Sequence, residues 1–128
     1  MSRSPQARTI ESLESQGYLV DVTERNIPRA KTTKDLFGFI DLVALDAAQK
    51  VAIGFGEDVL MGNRGCLGIQ VTSGANHSTR RKKILGPCAE NALRWLQAGN
   101  RIEVRSWSKL KAGWTERVEE ITLDDFRP

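Results

Sequence analysis

A carboxylate stands where only apolar residues belong. The stretch Phe37-Gly38-Phe39-Ile40-Asp41-Leu42-Val43-Ala44-Leu45 carries hydrophobic residues at both parities. In an extended strand Phe37, Phe39, Val43 and Leu45 share one face, and Ile40, Leu42 and Ala44 share the other. Such a pattern predicts a strand over 37–45 that is buried on both faces. Asp41 falls in its middle. An ionised carboxylate is costly there unless it is paired, hydrogen-bonded or bound to a metal. Asp41 is therefore the most informative residue in the chain.

The flanking sequence predicts the layers around that strand. Residues 6–16 read as a helix, with Ile10 and Leu13 at i, i+3, Glu11 and Glu14 on its surface, and Gly17 as its stop. Residues 18–23 are rich in β-formers and read as a strand. The polar stretch 25–34 contains Pro28 and reads as a loop. Asp35 follows, as a turn residue or a further acid of the site. Residues 46–50 read as a turn, 51–55 as a short strand hairpinned with the central one, and the glycine-rich stretch 54–65 as a long loop. In the next strand, 66–72, Leu67, Ile69 and Val71 point one way, and Gly68, Gln70 and Thr72 the other. Helices are expected over 77–85 and 88–98, separated by Gly86-Pro87, with Asn76 or Ser78 capping the first. Strands over 101–108 and 115–122 close the chain. The sum is an α/β fold, a mixed sheet with helices on its faces, in one domain spanning 1–128.

At 128 residues the chain is long enough to bury a core without metal or disulfide staples. No run approaches the ~20 apolar residues of a membrane span, and the first residues lack the apolar centre of a signal peptide. Cys66 and Cys88 form no CxxC pair, and one histidine supplies no zinc set. These features predict a reduced, cytoplasmic protein with no membrane partner. The net charge is only +3, but from Thr72 to Arg117 ten basic residues face three acidic ones. A basic half of this kind is either a solvated face or a docking surface for a polyanion.

Three features align. Asp41 is an acid in a central strand. Gln70 and Thr72 stand at i, i+2 on the polar face of another strand. The basic run Arg80-Arg81-Lys82-Lys83 follows directly. A carboxylate and an amide oxygen on neighbouring strands suit Mg²⁺, which takes few protein oxygens and keeps several waters. The basic helix would hold phosphates beside them.

This pattern resembles the PD-(D/E)xK nuclease superfamily, in particular its Holliday-junction-resolvase-like and VRR-NUC-like branches of small phage or mobile-element proteins. Gly17-Tyr18, the stretch 35–45, Leu67-Gly68-Ile69-Gln70-Val71-Thr72, the basic helix and Trp95-Leu96-Gln97-Ala98-Gly99 carry the resemblance, which spans about residues 8–122. It implies a restriction-endonuclease-like α-β-β-β-α-β core, Mg²⁺- or Mn²⁺-dependent hydrolysis of DNA, branched or duplex, and a homodimer. It implies that Asp41, Gln70 and the Val71 carbonyl bind the metal. Gln70 replaces the family's acid, and Thr72 stands where its lysine belongs. Lys83, or Lys82, then supplies the lysine from the helix, and Glu11 or Glu14 the acid of the first helix. His77, Arg80, Arg81, Lys82, Lys83, Lys109 and Lys111 are expected against the nucleic acid. Trp95, Trp107 and Trp114 are expected in the core or a dimer contact. The alternative is a module of the same fold that binds nucleic acid without cutting it.

Overall fold

The computed structural model describes residues 4–27, 32–46 and 66–127. The predicted strand 51–55 and the glycine-rich stretch 54–65 lie outside the described residues. Helix α1 (Pro5–Ser15) starts where Ser4 Oγ accepts the Ala7 N–H at 3.1 Å and Pro5 supplies a first-turn φ. Strand β1 (Tyr18–Val22) follows. The described chain continues through β2 (Arg25–Ile27), β3 (Thr32–Lys34), β4 (Leu42–Asp46) and β5 (Leu67–Ser73). Helices α2 (His77–Leu85) and α3 (Ala89–Gln97) lead to β6 (Arg101–Leu110) and β7 (Gly113–Ile121).

Five strands form one mixed sheet in the order β1-β4-β5-β6-β7. The β1, β4 and β5 neighbours are antiparallel, β5 and β6 are parallel, and β6 and β7 form an antiparallel hairpin. The parallel pair requires a crossover, and α2 and α3 provide it. The stretch 25–34 departs from the expected loop, because β2 and β3 pair as a separate antiparallel ribbon, Arg25 opposite Lys34. Since β1 and β4 run antiparallel side by side, the chain between them must reverse, and the ribbon is that reversal.

The sheet separates two cores. Under α1 lie Leu13, Leu42, Ala44, Leu67 and Ile69. Under α2 and α3 lie Phe39, Ile40, Ile84, Ala92, Ile102, Val104 and Ile121. Each large side chain buried in this way contributes ~1.5–3 kcal/mol. Gly68 lets α3 approach: a Cβ there would meet Ile40 Cδ1 at 3.0 Å and the Trp95 ring at 3.2 Å. The polar-reading face of β5 is therefore not solvated, and Gln70 and Thr72 are both buried. Among the described residues no helix is long and apolar enough to cross a membrane.

The predicted central strand is corrected more deeply. Only its second half, β4, is a strand, and residues 37–39 form a turn. Leu36 and Ile40 close that turn by exchanging N–H···O bonds of 3.0 Å each. Phe37 (φ 55) and Gly38 (φ 87) make the reversal through left-handed conformations. Asp41 thus precedes β4, at the mouth of a tight turn and not in the middle of a strand. The apolar run misled because both Phe39 and Ile40 are buried although the chain turns there.

Candidate metal centre

The turn that breaks the strand builds the site. Asp35 and Asp41 flank the Leu36–Ile40 pair, so closing the turn brings them together. The Asp41 backbone is clamped on both sides. Its N–H donates to Ile69 O at 2.9 Å, and its carbonyl accepts the Thr23 N–H at 2.9 Å. The same Thr23 contact delivers Glu24 from the end of β1. Carboxylate oxygens of Glu24, Asp35 and Asp41 all lie within 4.8 Å of one another.

Asp41 is 5 % exposed. Its Oδ2 accepts Gln70 Nε2 at 2.7 Å and the Val71 N–H at 2.8 Å. Burial, then a hydrogen bond with the Asp35 carboxyl, pushes the Asp41 pKa up from 3.8 to about 8, against the opposing pull of the Val71 N–H. The charges of Asp35 and Glu24 push in the same direction as burial. Lys83 reaches the cluster from α2, with its Nζ 3.5 Å from Asp35 Oδ2.

One atom in this cluster has no partner. Gln70 Oε1 is buried and makes no hydrogen bond among the described residues, although the other end of the same amide donates to Asp41. A buried polar atom left alone costs ~1–3 kcal/mol. A hard dication fits this set. It takes oxygen ligands, and opposite ligands on Mg²⁺ stand ~4.2 Å apart, at twice the 2.0–2.1 Å bond length. Carboxylate oxygens already within 4.8 Å of one another need little adjustment to reach that spread. Asp41, Asp35 and Glu24 are the carboxylate ligands available, and Gln70 Oε1 is the neutral one.

Of the residues expected at the site, the structure brings together Asp41, Gln70, Val71 and Lys83. Val71 turns its backbone N–H, not its carbonyl, toward Asp41. Glu11 lies elsewhere, lining a groove with Arg8, Ser12, Ser15 and Trp107, and is not among the carboxylates that converge on Asp41. Glu24 has no place in the sequence reading. The signal for it is the antiparallel pairing of β1 with β4, which runs Val22 opposite Leu42 and carries the residues after Val22 to Asp41.

His77 is fully buried. Its Nδ1 lies 2.6 Å from Ser106 Oγ and its Nε2 2.9 Å from Glu119 Oε1. The sequence Ser–His–Glu invites a comparison with a hydrolase triad, but Ser106 is buried on an inner strand and presents no nucleophile to a substrate. Arg81 completes this second cluster, donating to Glu119 Oε2 and Asp125 Oδ1 at 3.0 Å each. Burial raises the Glu119 pKa, but the bonds from His77 and Arg81 outweigh it and hold the carboxyl below its ordinary value. Arg80, Lys82, Lys109 and Lys111 form no ion pair among the described residues. Trp95 joins the core and donates to Arg101 O at 2.7 Å. Trp107 donates to Thr9 Oγ1 at 2.8 Å. Trp114 is exposed under the Arg8 guanidinium, 4.1 Å from its ring centre. Compared with family models, with curated proteins and with solved structures, the chain matches none.

Proposed function

We propose that this chain is a divalent-cation-dependent DNA endonuclease with its centre at Asp41. The observation that carries the reading is the convergence of three carboxylates on one point beside a buried, unpartnered amide oxygen, with a lysine at the edge. The element order supports it too: a helix, an antiparallel three-strand run, a helical crossover and a parallel strand follow the sequence expected of a restriction-endonuclease-like core.

Each residue then has a role. Asp41, with Asp35 and Glu24, supplies the negative charge that concentrates a Mg²⁺ or Mn²⁺ ion. Gln70 offers its amide oxygen and steadies Asp41 through its amide N–H. A bound dication draws charge off phosphate oxygens and makes water more acidic. Lys83 reaches the same point from α2, where it can neutralise charge that develops on the phosphate. Arg80, Lys82, Lys109 and Lys111 dock the DNA backbone, so binding weakens steeply with salt.

The test is cleavage of supercoiled, linear and branched DNA in Mg²⁺ or Mn²⁺. Cleavage is expected, with Asp41→Asn slowing it by on the order of a hundredfold while DNA binding persists. Wild-type protein that binds DNA but cuts none of these substrates would establish the non-catalytic module instead. Cleavage that survives Asp41→Asn would remove the site.

A further inference from the structure

Phe37 combines two features that each work against the fold. It is a non-glycine residue at φ 55, a left-handed conformation that costs an L-residue ~1–2 kcal/mol. It is also 51 % exposed, although full burial of a Phe side chain yields ~1.5–3 kcal/mol. The turn itself has no need of a ring, since Asn or Gly meets a positive φ more easily. Its surroundings nonetheless fix it in place. Asn91 Nδ2 donates to Phe37 O at 3.2 Å. Gly38 packs so closely on α3 that a Cβ would stand 3.2 Å from Cys88 Sγ.

The Phe37 ring lies 6.2 Å from the Trp95 ring, tilted by 55°. With Asn91 and Arg94 these two rings line a cleft of about 390 Å³. That volume falls in the ~300–1,000 Å³ range of small-molecule sites, which are mostly apolar with a few polar groups to orient the ligand. Phe37 belongs to the turn that carries Asp35 and Asp41, and two residues of chain place it within about 7 Å of Asp35.

We propose that this cleft receives one unpaired nucleobase of the DNA engaged at Asp41, stacked against Phe37 and Trp95. The proposal rests on the nuclease reading of the acid cluster and narrows its substrate. A nucleobase has apolar faces and polar edges. The two rings meet the faces, while the Asn91 amide and the Arg94 guanidinium stand at the rim to meet an edge or the next phosphate. A base within intact duplex is stacked on its neighbours and must be extracted at a cost of a few kcal/mol, which is least where pairing is already absent. The cleft therefore selects DNA with an unpaired nucleotide beside the scissile phosphate, as at a flap, a gap or a branch point.

The experiment measures binding, in the presence of a chelator so that nothing is cut. Fluorescence anisotropy compares a labelled single strand with the same sequence as blunt duplex. Phe37→Asn removes the ring and tolerates the left-handed backbone, and Phe37→Tyr keeps the ring. Base–aromatic stacking of ~1–3 kcal/mol predicts a loss of on the order of tenfold in single-strand affinity for Phe37→Asn. Duplex affinity stays within about twofold, Phe37→Tyr binds as wild type, and the melting temperature of Phe37→Asn is no lower than that of wild type. Unchanged single-strand affinity in Phe37→Asn overturns the proposal, and so do equal losses on single strand and duplex. Calorimetric titration with Mn²⁺ alone tests the acid cluster separately. If wild type takes up no Mn²⁺ and cuts no DNA, yet Phe37→Asn selectively loses single-strand binding, the nuclease reading falls and the base cleft stands.

Discussion

Helix α2 ends in two polar clusters built on opposite terms. At its first residue, His77 meets Ser106 and Glu119, and Arg81 ties Glu119 to Asp125. None of the buried polar atoms in that cluster lacks a partner. In its last turn, Lys83 pairs with Asp35 of a group of three carboxylates, and the amide beside them has an oxygen with no partner among the described residues. The first cluster is complete within the chain and holds α2 against β6 and β7. The second is left with negative charge and an acceptor that no described residue uses, and a bound cation would satisfy both. A polar cluster alone does not mark a site; an unsatisfied one does.

That contrast is broken first at His77. Replacing it by Ala removes one buried and one part-buried hydrogen bond and leaves Ser106 without its partner. The expected loss is about 3 kcal/mol in chemical denaturation, with Mn²⁺ binding by the remaining folded protein unchanged. A loss of Mn²⁺ affinity at constant stability would place His77 with the metal centre and erase the distinction.

At Asp41 the sign reverses. Asp41→Asn replaces a carboxyl that burial and two neighbouring acids keep protonated up to about pH 8, so the metal-free variant is expected to match wild type near neutral pH and to exceed it above that pH. What disappears is stabilisation by the cation, which for wild type amounts to ~2.7 kcal/mol when free Mn²⁺ is about a hundred times its Kd. Thermal melts with and without Mn²⁺ measure both halves. A variant that Mn²⁺ stabilises as much as wild type would show that Asp41 is not a ligand of the ion.

The two clusters should also answer pH in opposite directions. The folded Asp41 holds its proton up to about pH 8, while the unfolded chain releases it near 3.8. The metal-free protein therefore loses stability as pH rises through that window, because the folded state binds the extra proton. Added Mn²⁺ replaces the proton, so its stabilising effect grows over the same range. Glu119 has a lowered pKa, and its contribution is present above the ordinary glutamate value and lost as pH falls below it. Melting curves from about pH 3 to about pH 9 separate the two slopes. Asp41→Asn should flatten the upper one and leave the lower one in place.

The sequence displayed some of this arrangement and concealed the rest for physical reasons. Helices α1, α2 and α3 and strands β1, β5, β6 and β7 are legible from periodicity and from stops such as Gly17 and Gly86-Pro87. Asp41 stands out because an acid among apolar residues must be answered, and Gln70 follows from its parity on β5. The turn at 37–39 is hidden because Phe39 and Ile40 are buried through the reversal, so composition does not change where direction does. Glu24 is hidden because its role depends on which strand pairs with which. His77 is ambiguous for a related reason: its inward partners come from β6 and β7, some 29 and 42 residues away in sequence.

The finest test uses two neighbours on α2. Arg81 belongs to the satisfied cluster, with both of its bonds made to carboxylates at 3.0 Å. Lys82 is exposed and forms no ion pair among the described residues. Adjacent cations on one basic run should therefore behave differently. Lys82→Ala is expected to leave stability within about 0.5 kcal/mol and to lower the salt slope of DNA binding by about one. Arg81→Ala should cost stability instead, because Glu119 and Asp125 lose a shared partner, and should leave the salt slope nearly unchanged. If the two substitutions lower the slope equally, Arg81 leaves its carboxylates for the DNA. The first cluster would then be a switch that binding opens and not a fixed pin.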